Sequence, residues 1–245
     1  MVAGGLGPTR WPRPHRHRVV RGRRIWKLVF RRTCPIVAAP VAPEKNITEP
    51  APALPGITLL IAVVAVVVFL VPAVSGGLIY DRALLLHGEI WRAWTAHVVH
   101  FGSSHLFWNL AVFLAAGCWA ERIRPRTTRW FYLICAPVIA AALLILEPDL
   151  GRYAGLSGVG TGVLVLLGCF KLDTHSTEPT RFWVAVFGMV VVKIALETVT
   201  HAPLLVNDSS DFIVVPLAHI SGAACGVATW FVTRTPFNVI PPPPS

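Results

Sequence analysis

Residues 155–170 read GLSGVGTGVLVLLGCF, a run without one charged side chain, opening on glycine, leucine and serine. A bilayer core of about 30 Å takes roughly 20 mostly apolar residues as a helix, and this run supplies most of one crossing. Five further windows of this kind flank it, at about 54–74, 104–120, 130–146, 182–199 and 212–232. The shorter ones suit spans that enclose one another rather than face lipid along their whole length. None reads as a strand. The expectation is therefore an all-α integral membrane protein, a bundle of six transmembrane helices.

Composition agrees. Of 245 residues 54% are hydrophobic and 14% charged, with a mean hydropathy of +0.62, which leaves too little polar surface to cover a soluble globule. The net charge of +10 would suggest nucleic acid in a soluble protein. Here its distribution reads as topology, and the partner it implies is the lipid bilayer, with no nucleic acid. Eleven of the 22 Lys and Arg residues precede the first apolar run. With the N-terminus inside, the inner segments hold eighteen positive charges and the outer loops three, Arg82, Arg92 and Arg152. An N-in, C-in arrangement follows from the positive-inside rule.

Three regions are expected. Residues 1–53, rich in Arg and Pro, read as a disordered cytoplasmic tail; an organellar transit peptide or an upstream mis-assigned start would look the same. Residues 54–235 form the six-helix domain, and 236–245 a Pro-rich C-terminal tail. The five cysteines, Cys34, Cys118, Cys135, Cys169 and Cys225, lack metal-site spacing and imply neither a metal site nor a disulfide framework. Nothing in the sequence specifies an oligomeric state.

Polar groups inside a lipid-embedded bundle are costly, so each needs a reason. His105 and Asn109 stand four residues apart on one helix face near an outer end. Ser157 opens the fourth span, and His219 descends from the outer side of the sixth, about two turns in from Asp211. Gly158 with Gly162, and Gly222 with Gly226, form small-xxx-small pairs whose facing stripes would bring Ser157 within hydrogen-bonding reach of His219. A serine hydroxyl becomes a useful nucleophile when an imidazole takes its proton. No Asp or Glu reads as lying in the spans at the right depth for a third member, so a dyad is expected. His105, Asn109 and the Ser157 backbone N–H would serve as oxyanion donors. The 75–103 loop is long enough to be functional, and its Trp94 and Phe101 read singly as interfacial aromatics.

The residues Glu89-x-Trp91-Arg92, His105-x-x-x-Asn109, Gly117-x-x-x-Glu121, Gly155-x-Ser157-Gly158 and Ala218-His219-x-x-Gly222-x-x-x-Gly226 occur in this order. Together they resemble the rhomboid family of intramembrane serine proteases over residues 54–235. The resemblance implies a rhomboid-type bundle with Ser157 as nucleophile, His219 as general base and His105 with Asn109 as oxyanion donors. Trp91 and Arg92 would hold the long loop, no cofactor is needed, and substrates would be transmembrane-anchored proteins. Tyr153-x-Gly155-Leu156-Ser157-Gly158 and the Lys193-x-x-x-Glu197 pair resemble the rhombosortase branch, associated with exported proteins that carry a C-terminal Gly-Gly sorting tail, and with the bacterial inner membrane. Thr161 departs from the aromatic or histidine that family members carry four residues after the serine. The Lys193–Glu197 pair also reads as a simple i,i+4 ion pair.

Three rivals stand beside this reading. One is a catalytically inactive rhomboid-like protein that binds membrane clients. Another is a haem or metal protein using His97, His100, His105 and His219. The third is a transporter built on Lys193 and Glu197.

Overall fold

The computed structural model describes residues 54–173, 178–200 and 215–234, all within one compact unit, Pro50–Ser245. The tails at 1–53 and 236–245 and residues 201–214, with Asp208 and Asp211, lie outside the described residues. Each of the six apolar windows contains a helix: α1 Gly56–Leu70, α2 Ser103–Ile123, α3 Pro125–Leu146, α4 Ser157–Asp173, α5 Thr180–Thr200 and α6 Pro216–Thr233. Among the described residues α2, α3 and α5 are long and apolar enough to cross a membrane.

The first window departs from expectation. Instead of one span over 54–74, α1 stops at Leu70, and the chain turns by 99° into the short Pro72–Leu78 segment. Pro72 has no backbone N–H to continue the ladder, and its ring disfavours helix at the preceding residue. Counted as one broken span, the pair would be a fourth crossing. A second departure is a two-residue antiparallel strand pair, β1 Tyr80–Asp81 with β2 Arg152–Tyr153, where no strand was expected.

Helix α4 is the centre of the bundle, packed chiefly on α6 and α2, while α6 also packs on α3. From Gly158 to Phe170 every α4 residue except Leu164 is buried. That explains its shortness, since its neighbours rather than lipid surround it. Helix α5 is the opposite case, buried only at Trp183, Val190 and Glu197 along its length. Its exposed Val184, Val191, Val192 and Val199 are the side chains a lipid-facing helix presents.

The start of α1 is held from a distance. Pro55 offers no side-chain cap, so the first N–H groups would be orphaned. The buried Glu121 carboxylate of α2 accepts from Ile57 N at 3.3 Å, Thr58 N at 2.9 Å and Thr58 Oγ1 at 2.8 Å, and pairs with Arg129 at 3.0 Å. A carboxylate at a helix N-terminus also suits the helix dipole. Gly117, one turn back, leaves room for this contact, because a Cβ there would run into the Tyr132 hydroxyl and lie 2.8 Å from Thr58 Cγ2.

Candidate active site

The segment linking α1 and α2 is built on one buried guanidinium. Arg92 is ion-paired with Glu89 at 2.7 Å and donates to the Gly76 and Ile79 carbonyls at 3.0 and 2.7 Å. Trp91, half exposed, donates its indole N–H to Gly77 O at 3.2 Å, and Thr95 donates to Leu78 O at 2.7 Å. Non-helical backbone is tolerated at membrane depth only where its carbonyls find donors, and these side chains supply them.

That segment carries the floor beneath Ser157. Gly155 N donates to Ala96 O at 3.1 Å, His97 Nδ1 lies 3.3 Å from Gly155 O, and Leu156 N approaches His100 Nε2 at 3.5 Å. His97 reaches Ala136 O of α3 with its other nitrogen, at 3.1 Å. Burial holds both imidazoles below the usual histidine range, His100 down to about 3, so both are neutral at ordinary pH. Sequence reasoning offered His97 and His100 only as haem or metal ligands. Their signal was two histidines in a segment whose other polar residues all had structural work.

Gly155 takes φ of +123°, a conformation open to glycine. A Cβ there would lie 2.7 Å from His105 Nε2 and 3.5 Å from Asn109 Nδ2, so the two α2 side chains stand directly against the turn that leads into Ser157. His105 and Asn109 are both buried, and the Asn109 amide nitrogen has no hydrogen-bond partner among the described residues.

Ser157 is the first residue of α4, and the turn that leads into it is held by the Tyr153 hydroxyl, which donates to Gly155 O at 3.1 Å. Burial pushes the Tyr153 phenol up, keeping it protonated. The glycine stripes do meet: a Cβ on Gly158 would lie 2.8 Å from Ala218 O, and one on Gly162 2.5 Å from Gly222 O. Cβ atoms on Gly222 and Gly226 would run into the carbonyl oxygens of Gly158 and Gly162. The helices therefore cross backbone to backbone beside Ser157 and His219. Thr161 is buried within α4.

Two expectations need correction. Because α6 begins at Pro216, His219 sits in its first turn rather than two turns deep. The bundle also does contain a carboxylate at this depth. Glu197 Oε2 of α5 is 3.0 Å from His219 Nδ1 and 2.7 Å from Lys193 Nζ, with Glu197 buried. Lys193 Nζ lies 3.5 Å from the same imidazole nitrogen. Depth counted along the sequence missed this because Glu197 is one turn from the end of α5, which is the end that meets the start of α6. His219 Nε2 is buried and has no hydrogen-bond partner among the described residues, so no hydrogen bond joins Ser157 to His219 in this state.

The rings of His100 and His105 meet edge to face with centroids 5.0 Å apart, but His97 faces two carbonyls and His219 faces Glu197, and among the described residues no three His, Cys, Asp or Glu side chains gather as metal ligands. Among curated proteins none matches the chain. Residues 87–236, more than half of it, match the sequence model of the Rhomboid domain. With a helical bundle enclosing a buried polar site, this chain belongs to the rhomboid family of intramembrane serine proteases.

Proposed function

We propose that the protein is an active intramembrane endopeptidase in which Ser157 attacks and His219 acts as general base. The observation that carries the reading is the uncommitted, buried Nε2 of His219 on a helix whose backbone touches that of Gly158, the residue after the serine. In the reaction, Ser157 Oγ bonds to the scissile carbonyl carbon as its proton passes to His219 Nε2. The imidazolium then returns that proton to the leaving amine as the peptide C–N bond breaks, and water releases the acyl group by the reverse sequence. Oxyanion donors would be the Asn109 amide, His105 and the backbone N–H at the start of α4, where first-turn N–H groups have no helical partner. The hydroxyl of Ser157, not bonded to His219 at rest, must turn toward it, as catalytic hydrogen bonds often tighten only with substrate.

Substrates on this reading are transmembrane-anchored proteins, and the Tyr153 to Gly158 context with Lys193 and Glu197 favours C-terminal Gly-Gly sorting tails on exported proteins in a bacterial inner membrane. The topology is N-in and C-in, with the site at the outer face. The test is labelling by a fluorophosphonate, together with processing of co-expressed tail-bearing exported proteins. Wild type should label and cleave, and Ser157→Ala and His219→Ala should do neither. Labelling of wild type no stronger than of Ser157→Ala would instead favour an inactive client-binding protein.

A further inference from the structure

The contact between Glu197 and His219 extends the proposed site beyond a serine and a histidine. We infer that Glu197 is a positioning residue that fixes the tautomer and orientation of His219, making a Ser157–His219–Glu197 array with Lys193 as the counter-ion that holds the carboxylate in place. The inference rests on the proteolytic reading above.

Three observations converge on it. The first is the 3.0 Å separation of Glu197 Oε2 from His219 Nδ1, with both side chains about one-twentieth exposed. A carboxylate accepts and does not donate, so the proton it holds must sit on Nδ1. The second is that Nε2, buried and without a partner among the described residues, is then the atom left with its lone pair. That is the tautomer a general base facing a serine needs. The third is that Lys193 Nζ, on the same face of α5, is 2.7 Å from the same Oε2. An isolated carboxylate in the bundle would be too costly to stay ionised, and this ammonium one turn back offsets that cost.

Lys193 also poses the competing arrangement. At 3.5 Å from Nδ1 it could donate to that nitrogen and force the proton onto Nε2, which would disable the base. The shorter contact to Glu197 decides against it, because hydrogen bonds weaken quickly beyond about 3.2 Å. Glu197 and Lys193, both on α5, are the charged groups that act on His219 among the described residues. In the reaction Glu197 keeps its charge. The serine proton stops at Nε2, and the carboxylate steadies the imidazolium across the ring.

The experiment uses the full chain in detergent or nanodiscs. Glu197→Gln should lower kcat about 10²- to 10⁴-fold with KM little changed, because the interaction acts on the base and not on substrate binding. Glu197→Asp should recover part of the rate. Imidazole ¹⁵N shifts of His219 should report an Nδ1–H tautomer in wild type and lose that signature in Glu197→Gln. Because Glu197→Gln leaves Lys193 without its partner, the double variant Lys193→Met, Glu197→Gln is the control for folding. If the pair serves only as a structural ion pair, removing both charges restores a wild-type rate, and the inference is overturned. A double variant that folds yet stays as slow as Glu197→Gln supports it. An Nε2–H tautomer in wild type would also overturn it, whether or not the protein cleaves anything. Wild type that shows the Nδ1–H tautomer but no Ser157-dependent labelling defeats the proteolytic reading, and the inferred catalytic role of Glu197 with it.

Discussion

The indole N–H of Trp94 donates to the carbonyl of Leu133 at 3.0 Å. Four residues beyond Leu133 stands Pro137, inside α3, which cannot make the helical bond to that carbonyl. An unpaired carbonyl at membrane depth is costly, and the loop tryptophan supplies the missing donor. Trp94→Phe should therefore destabilise by about 1 kcal/mol, the usual net worth of such a bond. In a Pro137→Ala background the backbone N–H of residue 137 returns, and the same substitution should cost far less. A double-mutant cycle on unfolding in mixed detergent micelles measures the difference. Additive effects of the two changes would show that Trp94 is no more than an interfacial aromatic.

Glu121 is the second place where one side chain serves a remote backbone. Replacing it by Ala leaves two backbone N–H groups of α1 and the Thr58 hydroxyl without their acceptor. Leaving buried donors without an acceptor costs about 1–3 kcal/mol each, so the total loss should be about 3 kcal/mol or more. Glu121→Gln keeps an oxygen for Thr58 N but turns its amide NH2 toward Ile57 N and the half-exposed Arg129, so its cost should be smaller, about 1–2 kcal/mol. Unfolding free energies of the two variants should differ accordingly. Equal costs would mean that the charge, and not the cap, is what matters.

Acid should weaken the floor beneath Ser157. His100 is held by burial, and then by the neighbouring His105, from 6.5 down to about 3. Its folded-state pKa lies below the unfolded value, so the unfolded chain binds the extra proton between those limits. The stability this group confers is complete above pH 6.5 and is lost as pH falls toward 3. For one proton the slope approaches about 1.4 kcal/mol per pH unit. His100→Gln keeps an acceptor for Leu156 N but cannot ionise, so its stability should fall less between pH 7 and 4.5, by about 2 kcal/mol relative to wild type. Parallel curves for the two proteins would place the acid sensitivity elsewhere.

Much of this bundle is written in local apolar runs, because a helix in lipid must satisfy its own backbone and therefore needs long uncharged windows. All six windows contain helices for that reason. Motif residues were legible where chemistry makes polar groups rare: His219, His105 and Asn109 stood out as polar residues in apolar runs and are buried, with Ser157 half-buried. What stayed hidden depends on partners distant in sequence. Glu197 looked like half of an i,i+4 pair with Lys193, and only the crossing of α5 and α6 shows its oxygen on His219. Likewise Trp94 read only as an interfacial aromatic, and its donation to the carbonyl left open by Pro137 of another helix is visible only in the fold. The break after Leu70 was readable in Pro72, but hydropathy ran on across it.

The glycines of α4 separate packing that the site needs from packing that it does not. A Cβ on Gly222 would run into the Gly158 carbonyl, which is backbone and cannot rotate away, so Gly222→Ala must push α6 off α4. Overpacking of this sort costs about 1–3 kcal/mol, and displacing His219 by about 1 Å from Ser157 is enough for a 10²-fold loss of rate. Gly160 is the internal control, two residues from Gly158 and therefore on the opposite face of α4, toward α2. Its nearest neighbours, in Phe113 and Val112, would be 4.0 Å from an added Cβ, an ordinary contact. Gly160→Ala should be neutral or stabilising by up to about 1 kcal/mol, from helix propensity alone, with labelling of Ser157 unchanged. The comparison needs both variants in one membrane preparation, with unfolding and Ser157-dependent fluorophosphonate labelling measured side by side. If Gly222→Ala labels at the wild-type rate, close backbone contact is not what aligns His219 with the serine.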